Sequence, residues 1–172
     1  MATVKRILKW GGMVILIAYI ALVIYRAFVL QAQENTQKQV EKIHAIKLTL
    51  DDVLGENLPP DPGAEADKTV QGIDANKNGI RDDVELAIFK EYPNSAKTRA
   101  VLLQYALTFQ MEATQPMVNA GTVGAIANEQ DRAFFCSAKL VDEDGGEGAV
   151  MTAIEKYGKL VSDLHFNTEE RK

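Results

Sequence analysis

Residues Trp10 to Tyr25 run without a charge, and Ala27 to Leu30 carry the apolar character past Arg26. At 1.5 Å per residue, roughly 20 such residues make a helix about long enough to cross a ~30 Å hydrocarbon core. Arg26 lies one turn from the end of the run, where its long side chain can snorkel to the headgroups. Trp10, Tyr19 and Tyr25 supply aromatic anchoring near the boundaries. A membrane-spanning helix over residues 10–30 is therefore expected.

A cleaved signal peptide is the alternative, and it asks for a shorter apolar core followed by small residues at the −3 and −1 positions. The best site here, after Ala32, puts Leu30 at −3, and no early cysteine is present to accept a lipid. Residues 1–30 thus read as an uncleaved signal anchor. Lys5, Arg6, Lys9 and the α-amine precede the span, against Arg26 and the more distant Lys38 and Lys42 after it. The positive-inside rule then keeps the N-terminus in the cytoplasm and sends the rest to the periplasm or the cell exterior.

Length bounds the domain count, since 172 residues suffice for one compact domain plus an anchor. The formal net charge of −5 hides an asymmetry, because residues 1–33 hold four basic groups and no acid while the remainder holds 15 basic against 24 acidic residues. So acidic a body repels phosphate backbones, and no basic stripe with interleaved aromatics offsets it, which excludes nucleic acid as a partner. Cys136 is the lone cysteine, so no disulfide forms within the chain and no Cys-x-x-Cys motif exists. Beside Phe134 and Phe135 it is expected to be a small buried hydrophobe, with a reactive thiol or an intermolecular disulfide as the alternative.

Beyond the span, Gln31 to Gln39 is polar, and Val40, Ile43, Ile46 and Leu50 recur at nearly helical spacing. A helical stalk through about Lys47 is expected; the alternation Ile46-Lys47-Leu48-Thr49-Leu50 leaves a short strand as the competitor. Pro59-Pro60-Asp61-Pro62-Gly63 then interrupts regular structure, because proline removes amide donors and biases the preceding residue away from helix. The organisation read from the chain is an anchor at 1–30, a stalk and Pro-rich linker at 31–63, and a helical domain at 64–172.

The motif carrying chemistry is the twelve residues from Asp74 to Glu85. Calcium is a hard cation that takes six to eight oxygens, and a 12-residue loop delivers them from positions 1, 3, 5, 7, 9 and 12. Asp74, Asn76 and Asn78 would offer side-chain oxygens, Ile80 its carbonyl, Asp82 a direct or water-mediated contact, and Glu85 both carboxylate oxygens. Gly79 holds position 6, where the turn needs positive φ. The plain alternative is an ion-free Asx turn leading to a helix cap, which needs only one or two such residues.

This loop resembles those of EF-hand and dockerin proteins. More widely, Pro59-Pro60-Asp61-Pro62-Gly63 followed by Gly72-Ile73-Asp74 and Gly79-Ile80-Arg81-Asp82-Asp83-Val84 resembles a group of proteobacterial exported, membrane-anchored proteins of uncharacterised activity. The resemblance implies an exported location and a helical fold. Position 8, usually an aliphatic that pairs two EF loops, is Arg81 here and no second loop is evident, so a solitary site is implied. Three carboxylates, two neutral amides, and Lys77 and Arg81 opposing the cation predict one calcium ion bound weakly, in the ~10⁻⁴–10⁻³ M class of extracellular modules.

Downstream, caps and periodicity predict four helices. Asp82 to Glu91 presents Val84, Leu86, Ile88 and Phe89 and stops at Tyr92-Pro93. A helix capped at Asn94 or Ser95 presents Leu102, Tyr105 and Phe109, widened by Leu103 and Leu107, and stops at Pro116. A third, from Val118 or Thr122 to Val141, would turn Val123, Ile126, Ala127, Phe134, Ala138 and Leu140 inward. The fourth, Ala149 to Leu164, presents Val150, Ile154, Tyr157, Val161 and Leu164. The acidic turn Asp142–Glu147 reads as solvated loop, and Asn167 to Lys172 as a frayed tail.

The expected fold is all-α: one transmembrane helix and a bundle of about four helices preceded by one EF-hand-like loop. Catalytic constellations are not expected, because His44 lies in the stalk and His165 near the terminus, and Glu112 among Gln104, Gln110 and Gln115 is a lone carboxylate. The function expected is a non-enzymatic, membrane-anchored, calcium-binding interaction or assembly module with a protein partner in the envelope. An envelope hydrolase and an inhibitor or immunity-type partner are the alternatives.

Overall fold

The computed structural model describes residues 2–141 and 146–172, and the acidic turn at Asp142–Glu147 lies mostly outside the described residues. All regular elements among the described residues are helical, as the sequence predicts. They are α1 (Ala2–Ala45), α2 (Leu50–Leu54), α3 (Asp82–Glu91), α4 (Ala96–Thr114), α5 (Ala120–Ala138) and α6 (Gly146–His165), with 3-10 turns at Gly63–Asp67 and Glu169–Arg171.

The chain divides into two compact units, one ending at Gln39 and the other comprising Val40–Lys172. The described residues of the first are all helical and contain a stretch long and apolar enough to cross a membrane. Its large apolar side chains, from Ile7 to Leu30, are exposed almost without exception. A helix apolar on all sides with nothing covering it matches a span or a signal sequence.

The second unit starts inside the segment read as stalk and linker. Ile43, in the last turn of α1, is fully buried in the core with Ile80, Val84, Ile88, Leu102, Leu103, Ala106, Leu107, Met111 and Val161. Helix α4 is the centre of this unit, packed against α2, α3, α5 and α6. Its start is set by Ser95, whose hydroxyl accepts from the Thr98 amide at 3.3 Å. Its end is set by Pro116, before which Gln115 is extended.

Ile46–Leu50 forms no strand. Thr49 instead caps α2 in a capping box: its hydroxyl accepts from the Asp52 amide, and the Asp52 carboxylate accepts from the Thr49 amide at 2.8 Å.

Helix α5 corrects the predicted register. The face turned inward is Thr122, Ala125, Ile126, Glu129, Ala133 and Ser137, whereas Val123, Ala127 and Phe134 are exposed. Small side chains let α5 approach α4 closely, and Ser137 donates to the Tyr105 hydroxyl at 3.1 Å. Cys136 is accordingly exposed rather than buried, on the outer face with Phe135.

The chain end also departs from expectation. Residues 167–172 do not fray, because Arg171 is buried and bonded to the carbonyls of Ala66, Thr69 and Val70 and to Asp67 at 2.7 Å. His165 is likewise buried rather than superficial.

Candidate metal centre

The turn from Asp74 to Glu85 is closed by its own side chains. Asp74 accepts from the amides of Asn78 at 3.2 Å and Gly79 at 3.0 Å, so one carboxylate folds the first half of the loop around itself. Asn78 Oδ1 accepts from the Ile80 amide at 2.9 Å, an Asx-type turn. The path requires left-handed backbone at Lys77 (φ 60°) and Gly79 (φ 86°). Gly79 is constrained twice over, since a Cβ there would stand 2.5 Å from Ile46 Cγ2 and 2.8 Å from Leu107 Cδ1. Ile80 then drives its fully buried side chain into the core and anchors the middle of the loop.

The second half returns to the first. The Asp82 amide donates to the Ile73 carbonyl at 2.8 Å, and the Asp82 carboxylate accepts from the Ala75 amide at 3.0 Å. Asp82 is therefore not the cap of α3, since its side chain reaches back across the loop. Burial pushes its carboxyl above the usual carboxylate range, and Asp74 and Asp83 nearby add to the shift.

Glu85, in the first turn of α3, is fully buried. Its Oε2 accepts from Asn76 Nδ2 at 3.0 Å, while Oε1 has no hydrogen-bond partner. Burial, opposed by the Asn76 and Asn78 amides and aided by the carboxylates of Asp52 and Asp82, pushes its carboxyl up to about 7. Asn78 Nδ2, also buried, makes no well-formed hydrogen bond, although the Asn78 side chain lies close enough to Glu85 to favour its charge. Buried unsatisfied polar atoms are uncommon in folded proteins, and two of the four found among the described residues belong to this loop.

The structure thus gathers the side chains of Asp74, Asn76, Asn78, Asp82 and Glu85 into one hydrogen-bonded turn ahead of α3, with Ile80 between them. Among the described residues, no group of three or more His, Cys, Asp or Glu side chains is placed to hold a metal. An oxygen shell here consequently depends on the amide oxygens of Asn76 and Asn78 and the Ile80 carbonyl as much as on carboxylates. Such a mixed set suits a hard cation.

The two basic residues expected to oppose the cation differ in their surroundings. Lys77 is exposed, but Arg81 is fully buried and committed elsewhere. Its guanidinium pairs with Asp83 at 2.5 and 2.9 Å and donates to the His165 carbonyl at 2.8 Å. At the position where EF loops pair, this chain places a tether to the end of α6.

Two contributors to the site carry no sequence signal. The Asn57 carbonyl, in the Pro-rich loop, accepts from Asn76 Nδ2 at 2.9 Å, and Asp52 adds negative charge beside Glu85. Both reach the loop through the tertiary fold, and no spacing rule connects them to Asp74.

Gln104, Gln110, Glu112 and Gln115 do not converge. Gln104 turns toward Glu129 at 3.5 Å, and Glu112 accepts from Gln130. Gln110 and Gln115 line a cleft of about 260 Å³ with Ile46, Gln71, Gly72, Asp74, Gly79, Met111 and Thr114. Asp74 is the one ionisable side chain among these lining residues. His44 lies 3.3 Å from Glu129, a pairing that no spacing in the sequence announces. No family model matches the chain, and neither a curated protein nor a solved structure does.

Proposed function

We propose that this chain is a membrane-anchored, extracytoplasmic module without enzymatic activity that binds one calcium ion weakly at Asp74–Glu85 and engages a protein partner in the envelope. Asp74, Asn76, Asn78, Asp82 and Glu85 would hold the ion through side-chain oxygens and Ile80 through its carbonyl. The observation that carries the proposal is Glu85: a fully buried carboxylate, one oxygen of which makes no well-formed hydrogen bond, with the carboxylates of Asp82 and Asp52 nearby and only the amides of Asn76 and Asn78 to offset its charge. Collecting like charges away from water is unfavourable unless something positive joins them.

A divalent cation supplies that charge, joining the chain before Asp74 to the start of α3. The weak affinity expected for this donor set leaves the site empty at cytoplasmic calcium levels and filled outside. That agrees with the orientation inferred from Lys5, Arg6 and Lys9. For an envelope hydrolase, the cleft beside the loop offers only one ionisable group, Asp74, and the loop already engages it.

The test is thermal melting of the full chain in detergent micelles, with and without calcium, for the wild type and Asp74→Ala. A calcium-dependent rise confined to the wild type supports the proposal. Melting indifferent to calcium in both proteins rejects it.

A further inference from the structure

The last six residues are held in a way that the loop alone does not require. Arg171 sits with its guanidinium almost wholly enclosed and donates to the carbonyls of Ala66, Thr69 (2.7 Å) and Val70 (3.2 Å), to Asp67 and to Asn167. Asn167 Nδ2 in turn donates to Asp67 at 3.3 Å. One side chain at the chain end thus collects three main-chain carbonyls from a segment a hundred residues earlier.

That segment leads straight into the metal loop. Its next residue, Gln71, is held by Gln110 Nε2 on its carbonyl at 2.8 Å. Gly72 (φ 66°) lies over the buried Arg81, and a Cβ there would stand 2.9 Å from Arg81 Cγ and Cδ. Ile73 receives the Asp82 amide, and Asp74 is next in the chain.

The same chain end is gripped from inside the loop. Arg81 donates to the His165 carbonyl at 2.8 Å and approaches Asn167 Oδ1 at 3.5 Å. Arg81 and Arg171 therefore hold one short stretch, His165 to Arg171, between the start of the loop and its eighth residue. Moving either end of the loop pulls on the other through that stretch.

We propose that residues 167–172 act as a strap whose docking sets the cation affinity of the Asp74–Glu85 loop, a proposal that rests on the loop binding calcium. With the strap docked, the chain before Asp74 and the Arg81 backbone are already in place, so less conformational freedom is lost when the cation is taken up. Coupling of this kind is reciprocal: the cation must tighten the strap by the factor by which the strap tightens the cation. The device gives the tail, or a partner that captures it, leverage over a cation site to which it contributes no ligand.

The experiment uses the full chain in detergent micelles, with calcium chloride titrated calorimetrically into the wild type, Arg171→Gln and Arg99→Gln. Arg99 is the control, a buried arginine bonded to the carbonyls of Val53, Tyr92 and Pro93 that makes no hydrogen bond to residues 165–172 or to residues 66–81. Arg171→Gln is expected to weaken calcium about five- to tenfold, within the usual range of coupling, while Arg99→Gln leaves it within about twofold. Hydrogen exchange of the wild type gives a second readout independent of any variant: calcium should slow exchange in the turn Glu169–Arg171. If the wild type binds calcium, equal affinity in Arg171→Gln or unchanged exchange in that turn overturns the strap alone. If Arg171→Gln fails to fold, the wild-type exchange result decides. A wild type that takes up no calcium removes the loop proposal and the strap together.

Discussion

Replacing Glu85 by Gln should reverse sign with calcium. In the ion-free protein the Glu85 carboxyl is raised to about 7, so the folded state holds its proton more tightly than the unfolded chain, whose carboxyl titrates near 4.5. The cost of burying the carboxylate is therefore absent below pH ~4.5 and fully present above pH ~7. A gap of that size corresponds to about 3 kcal/mol at 1.36 kcal/mol per unit, and screening by nearby solvent and amides brings it to about 2. Gln removes that cost but places an amide where Oε1 now lacks a partner, which returns about 1 kcal/mol. At pH 8 in chelator, Glu85→Gln should thus be more stable than the wild type by about 1 kcal/mol.

With calcium the order inverts. For a dissociation constant of ~10⁻⁴–10⁻³ M, about 10 mM calcium adds roughly 1.4–2.7 kcal/mol to the wild type by mass action. In a compact unit of this size that is a rise in melting temperature of about 4–12 °C. Glu85→Gln, lacking the bidentate position, should respond by less than about 2 °C. Scanning calorimetry of both proteins at pH 8, with and without calcium, gives all four values. Equal calcium responses, or a variant less stable than the wild type in chelator, would refute the assignment of Glu85 as a buried charge awaiting a cation.

Single residues carry the other predictions. His165 is held neutral, its pKa depressed to about 4 by burial and by Arg81 and Arg171, so the unfolded chain gains a proton first as pH falls. The His165 contribution to stability should fall by about 2 kcal/mol between pH 6.5 and 4, against the opposite trend from Glu85, so the difference between wild type and His165→Gln in urea titrations should change by that amount across the window; parallel curves would contradict it. Gly79→Ala meets both left-handed backbone and the Ile46 and Leu107 side chains, and should cost about 2–4 kcal/mol in urea unfolding, whereas a loss under about 0.5 would not fit. Cys136, exposed on α5, should react with a maleimide in the native protein without denaturant, and labelling only after unfolding would restore the buried reading.

Periodicity and local chemistry decide which parts of this fold are legible in the sequence. Helix α4 can be read because Ser95 caps it, Pro116 stops it, and Leu102, Leu103 and Leu107 recur at helical spacing on a buried face. The apolar run of α1 is plain for the same reason that nothing covers it. Helix α5 departs from the expected register because its inner face, Ile126 apart, is built of small or polar residues, while its bulkiest residues, Phe134 and Phe135, point outward. A rule that sends large apolar groups inward cannot anticipate an interface built for close approach.

The loop's twelve positions are visible as a spacing, yet its surroundings are not. In the sequence Arg81 reads as a charge opposing the cation, and its partner Asp83 stands only two residues away; no local pattern says that both face the end of α6. Arg171 and the carbonyls it collects lie a hundred residues apart, so the docked tail has no local signature. Asp52 and Asn57 reach the loop only because α2 and the Pro-rich segment pack within the same unit.

Equilibrium dialysis of the detergent-solubilised full chain against graded calcium chloride counts bound ions directly. One ion per chain, half-saturating at about 10⁻⁴–10⁻³ M and lost in Asp74→Ala, is the predicted result. Retention no greater than for the solvent, up to about 10 mM, would mean that the acidic turn before α3 folds for its own hydrogen bonds and holds no cation.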